Sequence, residues 1–455
     1  MKLPASRLFG TDGVRGIANR ELTAELALGL GRVFGLWLAR DLDKPEVMIA
    51  RDTRTSGPML ASAVEAGLTS AGADAVDCGI LPTPALGLLT ARQGRAGAVM
   101  LSASHNPPQF NGIKLLSGEG KKLPDEVENE LEALLRVHGK QFYEGDPDRV
   151  GLLYEHLEAR EEYLDLLFEL SPLPLKLTGL KVALDCGFGA AFELAHLAFE
   201  RAGAEVVLLN AQADGARINA GCGALHPEQV AQAVLESAAD FGVAFDGDAD
   251  RAMFVDAAGV TRDGDHIKYL LAADALSRGA FSPPVVVGTV MSNLGLELAL
   301  RELGVELVRA PVGDRYVAET MAERGAVLGG EQSGHIIFAE HGLGDGIYTA
   351  LRVAEVVART GKPLSELAAP VQKVPQVLIN VPMPPGYDWQ RSEPLQQALA
   401  QWQATLEGKG RLLLRPSGTE PLLRVMVEAL DKAMAYEAAG ALAETITSEV
   451  SEVEG

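Results

Sequence analysis

The run Val47-Met48-Ile49-Ala50, the stretch from Met59 to Ala71 and the run Ala98-Val99-Met100-Leu101 together determine the expected fold. Both short runs are apolar throughout, which is typical of buried strands. The stretch between them has the length of a helix and is followed by Gly72. Because buried strands that alternate with helices form sheets covered by those helices, this region predicts an α/β domain.

The same alternation starts again at Leu180-Lys181-Val182-Ala183-Leu184, with a helix expected around 192–202 and a strand at 205–209. It starts a third time after Asp263. The elements expected in this third stretch are a helix from Gly264, a strand at 285–287, a helix at 294–303 and a strand at 306–309. Three such stretches predict three similar α/β domains, although the sequence contains no repeat at the level of identical letters.

The last part of the chain has a different order. The proline-rich stretch Pro370 to Pro385 is typical of a linker. Beyond it, two adjacent strands (Arg411 to Leu414 and Leu422 to Val427) precede a final helix from Lys432, which indicates a smaller α+β domain. We therefore predict three α/β domains with mixed or parallel sheets, over 1–150, 151–251 and 252–370, and a C-terminal α+β domain over 371–455.

Composition limits the classes of function. At 455 residues the chain is too long for one hydrophobic core, and a formal net charge of −22 argues against nucleic acid or an anionic membrane as partner. Cys78, Cys186 and Cys222 form neither a disulfide framework nor a metal-ligand spacing, which predicts a reducing compartment. Without an apolar run long enough for a signal peptide or a membrane span, a cytoplasmic location is expected.

Three carboxylates stand at alternate positions in Asp246-Gly247-Asp248-Ala249-Asp250-Arg251, directly after the apolar Val243-Ala244-Phe245. Like charges this close repel unless a cation lies between them, and oxygen ligands favour a hard ion such as Mg²⁺. In an extended strand the outer two aspartates would lie about 13 Å apart, at about 3.3 Å per residue, so we expect a loop. An EF-hand is excluded, because Arg251 and Ala257 occupy the positions of its glycine and its glutamate. A polar surface turn is the remaining alternative.

The loop Ser102-Ala103-Ser104-His105-Asn106-Pro107-Pro108 follows the strand that ends at Leu101. Ligands of open α/β sheets bind beyond the carboxyl ends of the strands, so this loop is well placed for function. A hydroxyl beside a histidine is a candidate nucleophile or phosphorylation site, with an ordinary turn as the alternative. Lys114 follows closely and is a candidate phosphate contact or acid/base, with a solvated lysine as the alternative.

Four further polar loops combine glycine, hydroxyl or charged residues. Glycine lets backbone amides approach an anion, and arginine adds a bidentate donor, so each loop is a candidate phosphate or sugar contact as well as a plain turn. In the second of them, the structural alternative is that Asp52 and Arg54 pair and hold the loops together. The loops are Gly10 to Gly16 with Arg15, Arg51 to Arg54, Gly330 to His335, and Arg415 to Pro421 with Arg424 beyond.

Together these loops resemble those of the α-D-phosphohexomutase superfamily, with one signature per domain in the expected order along essentially the whole chain. The bacterial phosphoglucosamine mutases are the branch that the chain resembles most. Three features favour it: Ser-Ala-Ser at 102–104, Glu-Gln-Ser at 331–333, and the segment Gly288 to Asn293. One departure is Gly187-Phe188 after Cys186, where the family usually has Ala-Asn.

The resemblance implies residue roles. The serine directly before the histidine carries the transferable phosphoryl group in this family, which corresponds to Ser104. The metal loop implies one Mg²⁺ per chain, bound by Asp246, Asp248 and Asp250 with a phosphoserine oxygen of Ser104. Arg15, Lys114 and Arg251 would stabilise the phosphoryl oxygens, and either His105 or Lys114 would move the hydroxyl proton. The residues implied to bind sugar hydroxyls are Glu331, Ser333 and His335. Those implied to bind the non-reacting phosphate are Arg415, Ser417, Gly418 and Thr419, with Arg424 beyond.

The implied reaction interconverts glucosamine 6-phosphate and glucosamine 1-phosphate, a step toward cell-wall amino sugars. It would pass through phosphoserine and glucosamine 1,6-bisphosphate, which, like similar hexose bisphosphates, would also act as activator. Because one phosphate cradle has to serve both ends of this intermediate, the fourth domain is expected to move on a hinge near Pro370 to Pro375.

Three rival functions use the same loops. A phosphomannomutase or phosphoglucomutase of the same superfamily is the nearest, followed by a serine phosphatase and by a sugar-phosphate-binding protein without activity. In each case the expected partner is a small sugar phosphate. A homodimer is compatible with the sequence, which does not fix the oligomeric state.

Overall fold

The computed structural model describes residues 7–10, 12–138, 146–384, 387–416 and 421–454. The chain divides into two compact units. The first contains Met1–Thr289 and Ala310–Ala369, and the second contains Val290–Arg309 and Pro370–Gly455. No helix within the described ranges is both long and apolar enough to cross a membrane.

The first sheet of the first unit has the strand order β1-β5-β4-β2-β3-β6. Its strands are β1 (Val14–Ile17), β2 (Glu46–Arg51), β3 (Asp74–Ile80), β4 (Gly97–Leu101), β5 (Phe110–Ser117) and β6 (Leu153–Glu155). Its helices are α1 (Ala24–Leu38), α2 (Gly57–Ser70), α3 (Thr83–Arg92) and α4 (Asp125–His138). Strands β2, β3, β4 and β6 pair in parallel, whereas β5 is antiparallel to both β4 and β1. The sheet is therefore mixed, and its two antiparallel strands carry Arg15 and Lys114.

Two glycines allow α1 and α2 to pack closely. A Cβ atom at Gly31 would lie 2.4 Å from the carbonyl oxygen of Val64, and one at Gly67 would lie 2.3 Å from that of Leu28. No larger residue fits at either position without moving the backbone. The close contact helps to bury the apolar faces of both helices against the sheet.

The second sheet of the first unit has the order β11-β10-β9-β7-β8. Its strands are β7 (Lys181–Asp185), β8 (Glu205–Leu209), β9 (Phe241–Phe245), β10 (Ala252–Asp256) and β11 (Thr261–Arg262). Its helices are α5 (Ala159–Leu170), α6 (Leu194–Arg201) and α7 (Glu228–Ser237). The parallel strands β7 and β9 are apolar and largely buried, as expected for strands covered on both faces. The carboxyl end of β9 leads directly into the triple-aspartate loop.

The next stretch of chain contributes elements to both units. The first unit receives α8 (Gly264–Ser277) and β12 (Val285–Thr289), and the second unit receives α9 (Leu294–Glu302) and most of β13 (Glu306–Ala310). The chain then returns to the first unit with α10 (Asp314–Arg324), β14 (Leu328–Gly330), β15 (Ile336–Phe338), α11 (Gly346–Thr360) and α12 (Leu364–Ala368). Strand β14 pairs in parallel with β12 and in antiparallel with β15.

The C-terminal part of the second unit is a three-stranded antiparallel sheet of order β16-β18-β17 with two helices. Its elements are β16 (Gln376–Pro382), α13 (Glu393–Leu406), β17 (Gly410–Pro416), β18 (Leu422–Ala429) and α14 (Lys432–Glu454). The architecture predicted from the sequence is confirmed. The interpretation of Pro370 to Pro385 as a linker is wrong over β16, whose seven residues pair with β18. A proline at the end of such an edge strand is tolerated because it need not donate to the ladder.

Candidate active site

Ser104 is fully buried in the loop that follows β4. Its hydroxyl donates a 2.6 Å hydrogen bond to Oδ2 of Asp246, and the Nδ1 atom of His105 lies 3.2 Å from the same hydroxyl. The backbone at Ser104 has a φ of 50°, a left-handed conformation that is uncommon for residues other than glycine. The loop thus turns sharply at Ser104 and brings its side chain to the carboxyl end of β9.

Arg54 holds this loop in place. Its buried guanidinium donates hydrogen bonds to the carbonyl oxygens of Ser104 at 2.9 Å and Asn106 at 2.7 Å. It also donates to those of Pro107 at 2.6 Å and Phe110 at 2.9 Å. Its Nε atom lies 2.9 Å from the Oδ2 atom of Asp52. Of the two interpretations of this loop, the structure therefore shows the pairing of Asp52 with Arg54.

The triple-aspartate segment is a curled loop, as predicted. Ala249 has a φ of 57°, which turns the chain back on itself. All three aspartates are buried, and one carboxylate oxygen from each lies within 4.8 Å of the others. The backbone of Gly247 passes so close to the serine loop that a Cβ atom there would lie 2.5 Å from the carbonyl oxygen of Ser104. Any side chain at this position would push the two loops apart.

The aspartate loop has the properties of a cation site. Burial, followed by the charges of Asp250 and Asp248, raises the pKa of Asp246 well above its ordinary value. The buried Oδ1 atoms of Asp248 and Asp250 have no hydrogen-bond partner among the described residues. A hard divalent ion would neutralise the repulsion and supply partners for these oxygens, so the residues present fit Mg²⁺.

Lys114 also contacts the aspartate loop. Its ammonium nitrogen is 2.8 Å from Asp248 Oδ2, 3.0 Å from Asp12 Oδ2 and 3.9 Å from Asp250 Oδ2. Burial lowers the pKa of Lys114, but the carboxylates of Asp12 and Asp248 outweigh burial, and the pKa lies above its ordinary value. Lys114 is therefore a fixed positive charge at neutral pH.

Two arginines contribute further positive charge to the site. The backbone amide of Arg251 donates to Asp246 Oδ1 at 3.2 Å, and its Nε atom is 3.7 Å from Asp250 Oδ1. Arg15 donates to the side-chain oxygen of Asn106 at 2.8 Å and pairs with Asp12. Both guanidinium groups thus belong to the same charged cluster as Lys114.

The surroundings of His105 lower its pKa, in contrast to those of Lys114. Burial, together with the positive charges of Arg251 and Arg15, lowers the pKa of His105 to about 4. The imidazole is therefore neutral at pH 7, with its Nδ1 atom directed at the hydroxyl of Ser104.

The glycine-rich loop between β14 and β15 contains the predicted sugar contacts. Glu331 accepts a 3.1 Å hydrogen bond from the backbone amide of Gly313, and the Ser333 hydroxyl lies 3.4 Å from the Glu331 carboxylate. The ring of His335 is buried, 3.6 Å from Asp250 Oδ2. Burial alone would lower the pKa of His335, but Asp250 raises it to about 9, so the ring is charged at pH 7.

The second unit carries the remaining predicted residues. Arg415 on β17 lies directly opposite Arg424 on β18 in the antiparallel register, and both side chains are half-buried. Ser417, Gly418 and Thr419 lie outside the described residues.

Sequence reasoning missed three charged residues of the site: Asp12, Lys122 and Asp314. Asp12 stands in the glycine-rich segment that was singled out for Arg15, so it could have been included. Lys122 and Asp314 have no local signal, because each gains its position from contacts between segments far apart in the chain.

Comparison with known proteins finds four domain families along the chain. The descriptions that match are phosphoglucomutase/phosphomannomutase alpha/beta/alpha domain I over 6–141, domain II over 161–259, domain III over 263–374 and the C-terminal domain over 378–445. The phosphoglucosamine mutase of Symbiobacterium thermophilum is 48% identical over 449 residues, which cover 98% of this chain and 99% of that protein.

Solved structures share the fold. A phosphoglucomutase/phosphomannomutase family protein from Burkholderia thailandensis superposes with a TM-score of 0.81 at 27% identity, over 97% of each chain. The Aspergillus fumigatus N-acetylphosphoglucosamine mutase, solved with GlcNAc-6P and magnesium, gives a TM-score of 0.65 at 18% identity. That alignment covers 97% of this chain and 96% of the fungal one, and at this identity the likeness concerns the fold alone.

Proposed function

Because this chain belongs to the phosphoglucomutase/phosphomannomutase family, and within it to the phosphoglucosamine mutases, we propose that it interconverts glucosamine 6-phosphate and glucosamine 1-phosphate. The identity to a phosphoglucosamine mutase along almost the whole chain favours this reaction over a mutase of neutral hexose phosphates. The observation that carries the proposal is the 2.6 Å contact between the Ser104 hydroxyl and Asp246, which joins the serine loop to the aspartate loop.

Ser104, as phosphoserine, would be the phosphoryl donor in the first half of the reaction. The bond between phosphorus and the Ser104 oxygen breaks, and a bond forms between phosphorus and the oxygen of the free sugar hydroxyl, whose proton passes through a base to the Ser104 oxygen. The bisphosphate then returns its other phosphoryl group to the Ser104 oxygen, whose proton passes back through the base to the sugar oxygen that is released. Each cycle leaves the enzyme phosphorylated and the phosphate on the other end of the sugar.

Positive groups around Ser104 suit this transfer, because phosphoryl transfer depends mainly on positioning and on neutralising charge. Arg15, Lys114 and Arg251 would bind the oxygens of the moving phosphoryl group. Asp246, Asp248 and Asp250, with a phosphoserine oxygen, would hold one Mg²⁺ per chain, which when bound withdraws charge from the phosphoryl group.

His105 is better suited than Lys114 to accept the hydroxyl proton. The ammonium group of Lys114 already contacts three carboxylates and stays protonated at neutral pH. The neutral imidazole of His105 has a nitrogen 3.2 Å from the Ser104 oxygen, which is within reach of a proton passing between that oxygen and a sugar hydroxyl. Lys114 would then act only as a charge.

Two sets of residues are proposed to bind the substrate, one for the sugar hydroxyls and one for the non-reacting phosphate. Glu331 and Ser333 would offer a carboxylate and a hydroxyl to the sugar hydroxyls, together with the imidazole of His335. Arg415 and Arg424, with the segment 417–419, would bind the non-reacting phosphate as charge-assisted donors. Since either end of the bisphosphate has to reach Ser104, we propose that the intermediate turns around between the two half-reactions.

The test is a coupled assay with glucosamine 6-phosphate, Mg²⁺ and a trace of hexose bisphosphate, combined with intact-mass measurement of the purified chain. We expect turnover of glucosamine 6-phosphate to exceed that of glucose and mannose 6-phosphates. One phosphate should be found on the chain, and Ser104→Ala should remove both phosphate and activity. Ser102→Ala, two residues away in the same loop, is the matched control and should still be phosphorylated.

Other outcomes would replace the proposal. Faster turnover of a neutral hexose phosphate would indicate a phosphomannomutase or phosphoglucomutase. Release of inorganic phosphate without interconversion of isomers would indicate a phosphatase. Binding of sugar phosphate without any turnover would indicate a binding protein.

A further inference from the structure

Six ionisable side chains in the first unit form a closed ring in which basic and acidic groups alternate. We call it the charge ring. Only half of its members belong to the residues expected from the sequence to bind metal, phosphate or sugar. In order around the ring, the members are Lys114, Asp12, Lys122, Asp314, His335 and Asp250.

One half of the ring is tightly paired. The carboxylate of Asp12 pairs with both lysines. Its oxygens lie 3.0 Å from the ammonium nitrogen of Lys114 and 2.5 Å from that of Lys122. Lys122 in turn lies 2.8 Å from a carboxylate oxygen of Asp314. The Lys122 side chain is only 21% exposed, whereas that of its neighbour Lys121 is 57% exposed and pairs with Glu119.

The other half closes the ring through longer contacts. His335 lies 3.8 Å from Asp314 and 3.6 Å from Asp250, and Asp250 lies 3.9 Å from Lys114. The imidazole of His335 thus lies between the carboxylates of Asp314 and Asp250. The ring therefore joins the aspartate loop to the segments that contain Asp12, Lys122 and the first residue of α10.

We propose that Asp12, Lys122 and Asp314 are positioning residues, which fix Lys114 and Asp250 in the geometry needed for phosphoryl transfer. This inference rests on the proposed function of the site. None of the three contacts Ser104 in the structure, so they act through their neighbours in the ring.

The expected consequence of removing Lys122 follows from the signs of its neighbours. Without that charge, the carboxylates of Asp12 and Asp314 lose their common partner. Asp12 would then compete more strongly with Asp248 for Lys114, and Asp314 would draw His335 away from Asp250. Removing one partner of a buried ion pair leaves an uncompensated charge, which drives such rearrangements.

The test compares Lys122→Met, Lys122→Arg and the matched control Lys121→Met in the full chain. Supporting partners of a site typically contribute roughly 10- to 100-fold to activity, so we expect kcat of Lys122→Met to fall by that factor. Its KM for glucosamine 6-phosphate should stay within about threefold, because Lys122 is not proposed to contact the sugar. Lys122→Arg keeps the charge and should recover most of kcat, and Lys121→Met should match the wild type.

A second measurement separates this inference from the proposed function. Calorimetry without sugar measures the affinity for Mn²⁺. This affinity should fall in Lys122→Met and not in Lys121→Met, because Asp250 belongs both to the ring and to the aspartate loop. If the wild type shows no mutase turnover, the proposed function fails. The Mn²⁺ affinities still test whether Lys122 positions Asp250. The inference is overturned if kcat and Mn²⁺ affinity of Lys122→Met stay within twofold of the wild type. Equal impairment of Lys122→Arg and Lys122→Met would also overturn it.

Discussion

The two units of the molecule arrange their functional charges in opposite ways. Around Ser104, each positive group lies beside a carboxylate, as in the pairs of Lys114 with Asp248 and Arg54 with Asp52. In the second unit, Arg415 lies directly opposite another arginine, Arg424, on the neighbouring strand. Opposite charges that are buried together lock a geometry, whereas like charges opposite each other across a sheet repel.

This difference indicates a division of labour. In the first unit, the ion pairs hold the serine loop in place before any ligand arrives, so these pairs contribute to its stability. In the second unit, an anion between Arg415 and Arg424 would remove their repulsion. These two charges should therefore affect phosphate binding more than the free energy of unfolding. Substitutions of the paired charges around Ser104 and of the arginine pair should therefore have opposite effects. Two predictions test this contrast, and a third concerns the like charges of the aspartate loop.

The largest effect is expected for Arg54→Met. The substitution removes hydrogen bonds to four carbonyl oxygens of the serine loop and leaves the buried carboxylate of Asp52 without its cation. Breaking a buried pair in this way costs about 3–5 kcal/mol in the free energy of unfolding. Urea unfolding followed by circular dichroism measures the loss, and phosphorylation of Ser104 should fall in parallel.

Arg51→Met is the control for this prediction, since Arg51 lies three residues away and is only half-buried. It should change the free energy of unfolding by clearly less than Arg54→Met. Equal losses in the two variants would mean that the pairing around the serine loop does not contribute specially to stability, and the contrast between the units would fail.

The second prediction concerns Asp246→Asn and the divalent ion. Burial raises the pKa of Asp246, so ionising this carboxyl at pH 7 destabilises the folded, metal-free chain. In EDTA the variant should therefore be at least as stable as the wild type. Mg²⁺ at 100 times its dissociation constant should add about 2.7 kcal/mol to the free energy of unfolding of the wild type and much less to that of the variant.

Thermal unfolding with and without Mg²⁺ measures both parts of this prediction. Asp165→Asn is the control, because Asp165 is an exposed carboxylate that pairs with Arg201. It should keep the full response to Mg²⁺. A variant at position 246 that is less stable in EDTA and equally stabilised by Mg²⁺ would contradict the proposed cation site.

The fold could be predicted from the sequence wherever burial determines the pattern. Strand β8 runs over Glu205–Leu209 and the last helix begins at Lys432, as the alternation of apolar residues predicted. Strand β16 was missed because its flanking prolines suggested a linker, whereas pairing with β18 stabilises it in the folded chain. Tertiary contacts override local propensity at such places.

The site could be predicted only in part, for a related physical reason. Asp246 and Ser104 stand in short motifs whose chemistry can be read locally, and the structure brings them within hydrogen-bond distance. Lys122 resembles any solvated lysine next to Lys121, and only the fold distinguishes the two. A residue such as Lys122, whose role depends on partners in two distant segments, leaves no pattern in its own neighbourhood.

The smallest effect on stability is expected for Arg415→Gln, which also tests the comparison between the units most sharply. Removing one member of a like-charged pair should change the free energy of unfolding by no more than about 0.5 kcal/mol. The loss of a charge-assisted hydrogen bond to phosphate, about 1.5–3 kcal/mol, should raise KM for glucosamine 6-phosphate roughly 10- to 100-fold.

Arg411→Gln, on the same strand, is the matched control, for which we expect a loss of stability and no change in KM. Arg411 pairs at 2.6 Å with the buried Glu428 and donates to the carbonyl oxygens of Val290 at 2.9 Å and Ser292 at 2.7 Å. Its loss should lower the free energy of unfolding of the second unit and leave KM of the remaining folded protein nearly unchanged. If Arg415→Gln destabilised the chain as much as Arg411→Gln while KM stayed the same, Arg415 would serve the sheet rather than the phosphate. The two units would then use charge in the same way.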